Sequence, residues 1–414
     1  MRRANHRGVS VPFESWQAFI KAGPPAELRE VSLQPGVAEV SALRRRWPEA
    51  VVSAAIEAAR ARKRAAGKLH PQLIERLVAD EQGVMVASST LAGTHKAARF
   101  SRAGHRVAFD LCCGIGADAF ELVRAGLEVT AVDLDPSRAL MARHNVRCDV
   151  AISNCDSEDW SAHVQGHLVH LDPSRRDGGR RLHRYEDYRP GPEAIARLIH
   201  AAGGACVKLG PGVRFSDLPS SADAYVELLS EHGRLTQALL WTGSLARIAL
   251  IPSGHRAATR LPGGACFHAE PGPLIEPDRW YEGDGPKRPI LDYVYDADPS
   301  LERGELLGPF AERAELRPVH PAVGVLTGDT KVDSQWLTRY EVIASMPWRR
   351  KAVKAELRTL DAGLVTVKTR GKAVDTDAMQ RELRGPGVAA LTVFVLRLGD
   401  KLTAIITRRH EPAD

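Results

Sequence analysis

Four carboxylates stand at or just beyond the ends of short apolar runs: Asp110 in VAFDL, Asp133 in AVDLDP, Asp156 in SNCDSED and Asp172 in HLDPSRR. Open α/β sheets place ligands in the crevice outside such strand ends. Between the first two acids lies CCGIGAD, where Gly114 and Gly116 let the backbone turn tightly and approach a ligand, and the following helix offers free N–H groups. Asp110 precedes the first glycine by four residues, and its charge suits a cationic ligand end better than a pyrophosphate. Asp133 puts a carboxylate where two ribose hydroxyls can donate to it, whereas Asp135, followed by Pro136, reads as the turn before a helix. Asp156 follows the third strand, placed to accept from an amino group or to cap a helix. Asp172 and Pro173 form a lip, followed by Arg175, Arg176, Arg180 and Arg181. Lys208 closes a further strand, where it either orients a substrate or makes a salt bridge.

These residues need a sheet to bring them together. VAFDL (107–111), LEVTAVD (127–133), DVAIS (149–153), HLVHLD (167–172) and ACVKL (205–209) are short β-type runs, separated by helical or turn-like stretches such as ADAFELVRAG and PSRALMARHNV. This alternation predicts a parallel, doubly wound sheet. YVELL, TQALLWT and ARIALIP follow without long helices between them, which predicts an antiparallel edge. Upstream, the Ala-, Leu-, Arg- and Glu-rich stretch from Ser41 to Glu81, punctuated by Pro48 and Pro71, reads as several short helices. Residues 252–290 are rich in Pro and Gly and read as an irregular connector. From Arg339 the pattern becomes strand, helix, strand, helix, strand, strand, a small α+β unit.

DLCCGIGAD, AVDLDP, NCD and LDPSRR, in that order, resemble the class I S-adenosylmethionine-dependent methyltransferases. Arg339 to Leu383 further resembles the THUMP-like domain that some bacterial methyltransferases carry at the carboxyl end. The resemblance implies a Rossmann-like methyltransferase sheet with S-adenosylmethionine as cofactor. In that frame Asp110, Cys112, Gly114 and Gly116 line its methionine side, Asp133 the ribose and Asp156 the adenine. Asp172 and Pro173 occupy the catalytic acid-proline position, and Lys208, at the end of the fifth strand, is a further catalytic candidate. Many amino-methylating relatives continue that motif with a second proline and an aromatic ring; Ser174 and Arg175 stand here instead, which argues against adenine N6 as the target. The lettering also resembles the uridine C5 methyltransferases, but their cysteine nucleophile would fall on Leu209, with Cys206 inside the strand. The implied division is a mostly helical region 1–104, a methyltransferase domain 105–252, an irregular connector 253–338 and a THUMP-like domain 339–414.

Composition sets the outer limits. The 414 residues favour two or three units. No apolar run approaches the roughly 18 to 20 residues of a membrane helix, and the start has no apolar signal region, so a cytoplasmic protein is expected. Six cysteines without a CxxC pair predict reduced thiols; Cys112 and Cys113 read most simply as small apolar residues beside the glycine loop. His163, His167 and His170 are spaced like ligands but straddle Gly166 and a strand, so no metal is expected. The net charge of +6 leans toward an anionic partner. In the last unit Arg350, Lys354 and Arg358 recur every four residues against an apolar stripe of Val353, Leu357 and Leu360, either a phosphate-binding face or a solvated one.

The resulting expectation is methyl transfer to a nitrogen or oxygen nucleophile, with RNA as partner and a monomer as assembly. Arg175 and Arg176 would hold an anionic group of the substrate, and Arg350 and Lys354 a phosphate backbone. The competing readings are methylation of a small anionic metabolite or a protein, and a non-catalytic RNA-binding protein on the same scaffold. Gly114-x-Gly116-x-x-Ala119 with Asp133 also satisfies the dinucleotide fingerprint, so a nicotinamide enzyme is the weakest competitor.

Overall fold

The computed structural model describes residues 11–23, 28, 31–153, 159–177, 180–181, 184–219, 223–274, 290–320 and 323–410. The chain forms two compact units, 1–226 with 237–253, and 227–236 with 254–414.

The first unit holds the strands that carry the acids. β1 (Val107–Leu111), β2 (Glu128–Asp133), β3 (Asp149–Ile152) and β4 (Leu168–Leu171) are followed by a two-residue pair, β5 (Arg176–Asp177) and β6 (Arg180–Arg181), and by β7 (Gly204–Leu209). β4, β1, β2 and β3 lie side by side in parallel, and β7 joins β4, also in parallel. β8 (Ala224–Glu231) and β9 (Arg234–Thr242) follow; β9 returns antiparallel to β7 and supplies the expected antiparallel edge. The third run proposed for that edge, ARIALIP, is not a strand. Gly243 turns the backbone at φ 57° into a short helix, Gly243–Arg247, that buries Leu245 and Ala246.

The upstream helices belong to the same unit. Phe13–Lys21 buries Trp16 and Phe19, and Glu49–Ala65 buries an alanine face against it. Asn145, wholly buried in the helix Pro136–Val146, ties the segment before residue 80 to the glycine loop: its amide accepts from Val78 N and donates to the carbonyls of Val78 and Ile115. Arg138 pairs both guanidinium nitrogens with Asp80, at 2.7 and 2.9 Å. An amino-terminal segment held by paired polar groups at this depth is part of the wall of the site.

The second unit differs from the expected irregular connector. Residues 254–338 contain β10 (Arg256–Leu261), β11 (Ala265–Ala269), β12 (Tyr293–Ala297), β13 (Arg317–Pro318) and β14 (Val325–Gly328), with helices Pro299–Arg303 and Leu307–Arg313. Phe267, Tyr295, Leu301, Leu306, Phe310, Leu326 and Trp336 build a core there. Gly263 and Gly264 turn the chain between β10 and β11, whereas Gly308, Pro309, Pro318 and Gly328 lie inside short elements. Within this unit β10 pairs in parallel with the 227–231 part of β8 and antiparallel with β11.

β15 (Leu337–Pro347), β16 (Ala362–Thr369), β17 (Ala389–Leu398) and β18 (Lys401–Arg409), with helices Arg350–Thr359 and Thr376–Leu383, give the expected strand-helix-strand-helix-strand-strand order. The seven-stranded sheet runs β13-β14-β12-β15-β18-β17-β16, so the supposed connector supplies three of its strands. Val353 and Leu357 face the core from the first of these helices.

Candidate active site

Residues two apart on a strand share a face, and neighbouring strands align their rows. Asp110 on β1 is level with His170 on β4, which is level with Cys206 on β7. One step toward the carboxyl ends stand Cys112, Asp172 and Lys208. The site therefore has two tiers, a buried row beneath a partly open one.

The upper tier is an ion pair. Lys208 Nζ donates to Asp172 Oδ2 at 2.6 Å and to the Val86 carbonyl at 3.3 Å. Lys208 is buried, while the Asp172 side chain keeps part of its surface open. Asp172 N donates to Leu111 O at 3.1 Å, fixing the acid-proline lip to the strand that opens the glycine loop. The Val86 carbonyl ends the helix Glu81–Val86, whose other late carbonyls, Val84 and Met85, accept from Lys68 Nζ. Two lysines thus satisfy the orphan end of a short helix and hold Met85 and Val86, both exposed, near Asp172.

The lower tier is a chain of buried polar groups. His170 shares a hydrogen bond with Asp110 Oδ1 at 2.7 Å and lies 3.0 Å from Lys96 Nζ. Lys96 pairs with Asp118 Oδ1 at 2.6 Å and donates to Ser88 Oγ at 3.1 Å; Ser88 donates to Asp118 Oδ2. Burial alone would lower the Lys96 ammonium, but the charges of Asp118 and its other neighbours outweigh it and hold the group raised. Burial would likewise raise Asp118, yet the ammonium of Lys96, which is in direct contact, keeps it well below the carboxylate range. Asp110 has no such cation in direct contact, and burial pushes its carboxyl up.

The glycine loop is shaped by its backbone. Cys112, Gly114 and Gly116 all take left-handed φ, at 60°, 57° and 82°. A Cβ on Gly116 would meet Val146 at 2.6 Å, so this glycine serves helix packing, whereas one on Gly114 would meet nothing within 4 Å. Cys112, not a glycine, accepts an uncommon conformation at the mouth of the loop. Cys113 is buried as expected. Asp133 binds the loop itself, accepting from Gly114 N at 2.7 Å and Asp135 N at 3.0 Å. Its remaining lone pairs and partial exposure leave room for two further donors. Asp135 caps the following helix through Ser137 N, as its place before Pro136 implies.

The residue model of the THUMP domain-like family matches residues 337–409. The chain is 28% identical over 352 residues to an uncharacterized S-adenosylmethionine-dependent methyltransferase of Mycobacterium tuberculosis, represented in strains CDC 1551 / Oshkosh and ATCC 25618 / H37Rv; the match covers 83% of this chain and 92% of the relative. The chain thus has S-adenosylmethionine-dependent methyltransferase homologues along most of its length and carries a THUMP-like domain over residues 337–409. A crystal structure assigned as a methyltransferase from Porphyromonas gingivalis W83 shares the fold of this chain at 16% identity, with a TM-score of 0.71, covering 96% of this chain and 98% of that one.

The residues present fit the cofactor. Asp110 is 0% exposed, and among the described residues its Oδ2 has neither a hydrogen-bond nor an ion-pair partner, which leaves that oxygen to meet a cationic ligand end. Among the described residues, none comes within 4 Å of the position a Cβ would take on Gly114. Leu134 and Ile152, 61% and 56% exposed, flank Asp133 at the ends of β2 and β3, an apolar pair suited to a nucleobase ring beside a ribose-binding acid.

The structure thus brings Asp172 and Lys208 together and sets Asp110 beneath the loop of Cys112, Gly114 and Gly116. Pro173 is buried behind the lip. Asp156 lies outside the described residues. The side chain of Arg175 lies along Gly210, where an added Cβ would meet its Nη1 at 2.8 Å and Tyr188 Oη at 3.1 Å; Arg176 is described only as backbone in β5. Arg350 and Lys354 belong to the second unit, where Arg350 pairs with Glu382 at 3.6 Å. Sequence reasoning missed Ser88, Lys96, Asp118 and the role of His170, which pairs with a carboxylate; no metal-binding group is found among the described residues. A signal for Lys96 was available: it shares a helical face with Ala92, Gly93 and Phe100, all buried, and a cation on an apolar stripe requires a partner.

Proposed function

We propose that the chain transfers the methyl group of S-adenosylmethionine to a nitrogen or oxygen nucleophile of RNA. The observation that carries this reading is the Lys208–Asp172 pair, held at the strand ends by the Asp172 N to Leu111 O bond, next to the glycine loop. When bound, the cofactor supplies a methyl group already activated by a sulfonium. The chain's own residues then have little to do beyond alignment, which alone supplies much of the rate of a displacement. Asp133 holds the loop and the ribose hydroxyls, Leu134 and Ile152 the base, and Asp110 the charge of the methionine end.

At the acceptor side, Lys208 fixes Asp172 Oδ2 and leaves Oδ1 to accept a hydrogen bond from the incoming amine or hydroxyl. That bond aims a lone pair at the methyl, and the Asp172 carboxylate is placed to take up the proton that the nucleophile loses on methylation. Arg175 and Arg176 would hold an anionic group of the substrate. A covalent cysteine route is not supported: Cys206 is wholly buried within β7. Ser174 bridges Arg189 through its backbone and presents no ring, so base stacking in the manner of the adenine-N6 enzymes is not supported either.

The RNA part of the reading rests on the THUMP-like match and on the exposed cations of Arg350–Thr359, whose apolar side faces the core. The test is transfer of tritiated methyl from S-adenosylmethionine into total RNA from a deletion strain, with nucleoside mass spectrometry to identify the product. Label entering RNA and released as one methylated nucleoside is the expected result. Label entering only protein or small molecules would overturn the choice of RNA.

A further inference from the structure

The buried chain beneath the cofactor loop admits a full account of its hydrogens. Lys96 has only donors, and its three neighbours are Asp118 Oδ1, Ser88 Oγ and His170 Nε2. Because Nε2 faces an ammonium, it must accept, so His170 is neutral and carries its proton on Nδ1, which donates to Asp110 Oδ1. Ser88, accepting from Lys96, donates to Asp118 Oδ2. Among the described residues, two carboxylate oxygens of the chain lack a hydrogen bond: Asp118 Oδ1, which is ion-paired with Lys96 at 2.6 Å, and Asp110 Oδ2, which has no partner of either kind.

The charges do not balance. Lys96 is the one cation against two carboxylates, Asp118 and Asp110. The adjacent ammonium of Lys208 is taken up by Asp172. The other groups whose fields reach Asp110 are the thiols Cys113 in the loop and Cys148 before β3, and neither brings a positive charge. Cys206 and Asp172 act on Lys96 and add none either. An isolated anion at 0% exposure is unfavourable enough that such groups neutralise themselves.

We propose that Asp110 is a carboxylic acid in the cofactor-free protein and exchanges its proton for the cofactor's positive charge, so that S-adenosylmethionine uptake releases one proton. The Asp110 O–H bond breaks, the proton passes to the buffer, and the ammonium or sulfonium of the cofactor takes over the compensation of the carboxylate. Lys96 and His170 are positioning residues: they hold Oδ1, fix the histidine tautomer and leave Oδ2 as the exchanging atom. The upward push of burial on the Asp110 carboxyl agrees with this assignment. The inference rests on the methyltransferase reading of the site and adds a protonation step to it.

Calorimetric titration of the full chain with S-adenosylmethionine, in buffers of different ionisation enthalpy between pH 5 and pH 8, reads the exchange without any turnover. The binding heat is expected to vary linearly with buffer enthalpy, with a slope approaching one proton released per cofactor. In Asp110→Asn, neutral and of the same shape, the remaining heat is expected to be independent of buffer. Infrared difference spectra of the unaltered chain give the same answer without a variant, through loss of a buried carboxylic-acid carbonyl band on binding. Cofactor binding with buffer-independent heat at every pH and no change in that band overturns the exchange alone. Absence of binding at every pH contradicts the methyltransferase reading itself.

Discussion

Lys208 Nζ lies 2.6 Å from Asp172 Oδ2 and reaches the carbonyl of Val86 with the same ammonium. One lysine at the end of β7 thus aligns the acid of the acceptor lip and anchors a segment more than a hundred residues earlier. Lys208→Met should release both. A carboxylate free to turn by an ångström loses on the order of 10²-fold in rate. The expected result is a fall of about that size in kcat, with the Kd for S-adenosylmethionine nearly unchanged, measured by methyl transfer and by calorimetry.

Lys96 is 1% exposed and offsets the charge of Asp118. Removing one partner of a buried pair leaves the other uncompensated, at about 3–5 kcal/mol. Lys96→Met should lower the free energy of unfolding by that order in urea titrations. Lys96→Met combined with Asp118→Asn should be less destabilised than the single variant, because the stranded anion is gone.

The raised Asp110 carboxyl has a definite consequence for pH. An acid whose folded pKa exceeds its unfolded value of about 3.9 binds its proton more tightly when folded. Its favourable contribution is present below the unfolded value and is lost as pH rises through the raised one. The thermal midpoint of the cofactor-free chain should therefore decline more steeply with rising pH in that window than that of Asp110→Asn. Saturation with S-adenosylmethionine should reduce the difference. Asp118 has the opposite sign: its carboxyl is lowered, so its contribution is lost only as pH falls below the ordinary carboxylate range.

Arg350 and Lys354 test the RNA reading. If they neutralise phosphates, each substitution by Ala should weaken RNA binding regardless of sequence and reduce the slope of log K against log salt by about 0.7 to 1. Filter binding between low and moderate salt checks this. An unchanged slope would mark the helix as a solvated face.

The parallel strands, the glycine loop and the strand-end places of Asp110, Asp133 and Asp172 were legible because alternating apolar runs and helical stretches specify an open α/β sheet. The last unit was legible for a similar reason: Asp375 caps its helix through Ala378 N, and alternation marks its strands. The polar chain under the loop was not, since Ser88, Lys96, Asp118 and His170 come from four separate elements and meet only through tertiary packing. The bond from His170 to Asp110 Oδ1 was not legible, because β4 brings that histidine alongside β1 only in the folded sheet. Residues 254–338 escaped recognition because short strands such as Tyr293–Ala297 are embedded among prolines and glycines, and their pairing partners lie far along the chain. ARIALIP failed in the other direction: Ala246 and Arg247 end a short helix, the next residues turn, and Leu250 is left exposed.

The account turns on Asp172 as the residue that aligns the acceptor. The most direct measurement is transfer of labelled methyl from S-adenosylmethionine to RNA by the unaltered chain and by Asp172→Ala, with cofactor affinity determined for both. Loss of transfer with cofactor affinity retained is the predicted result; transfer left intact in Asp172→Ala would contradict it.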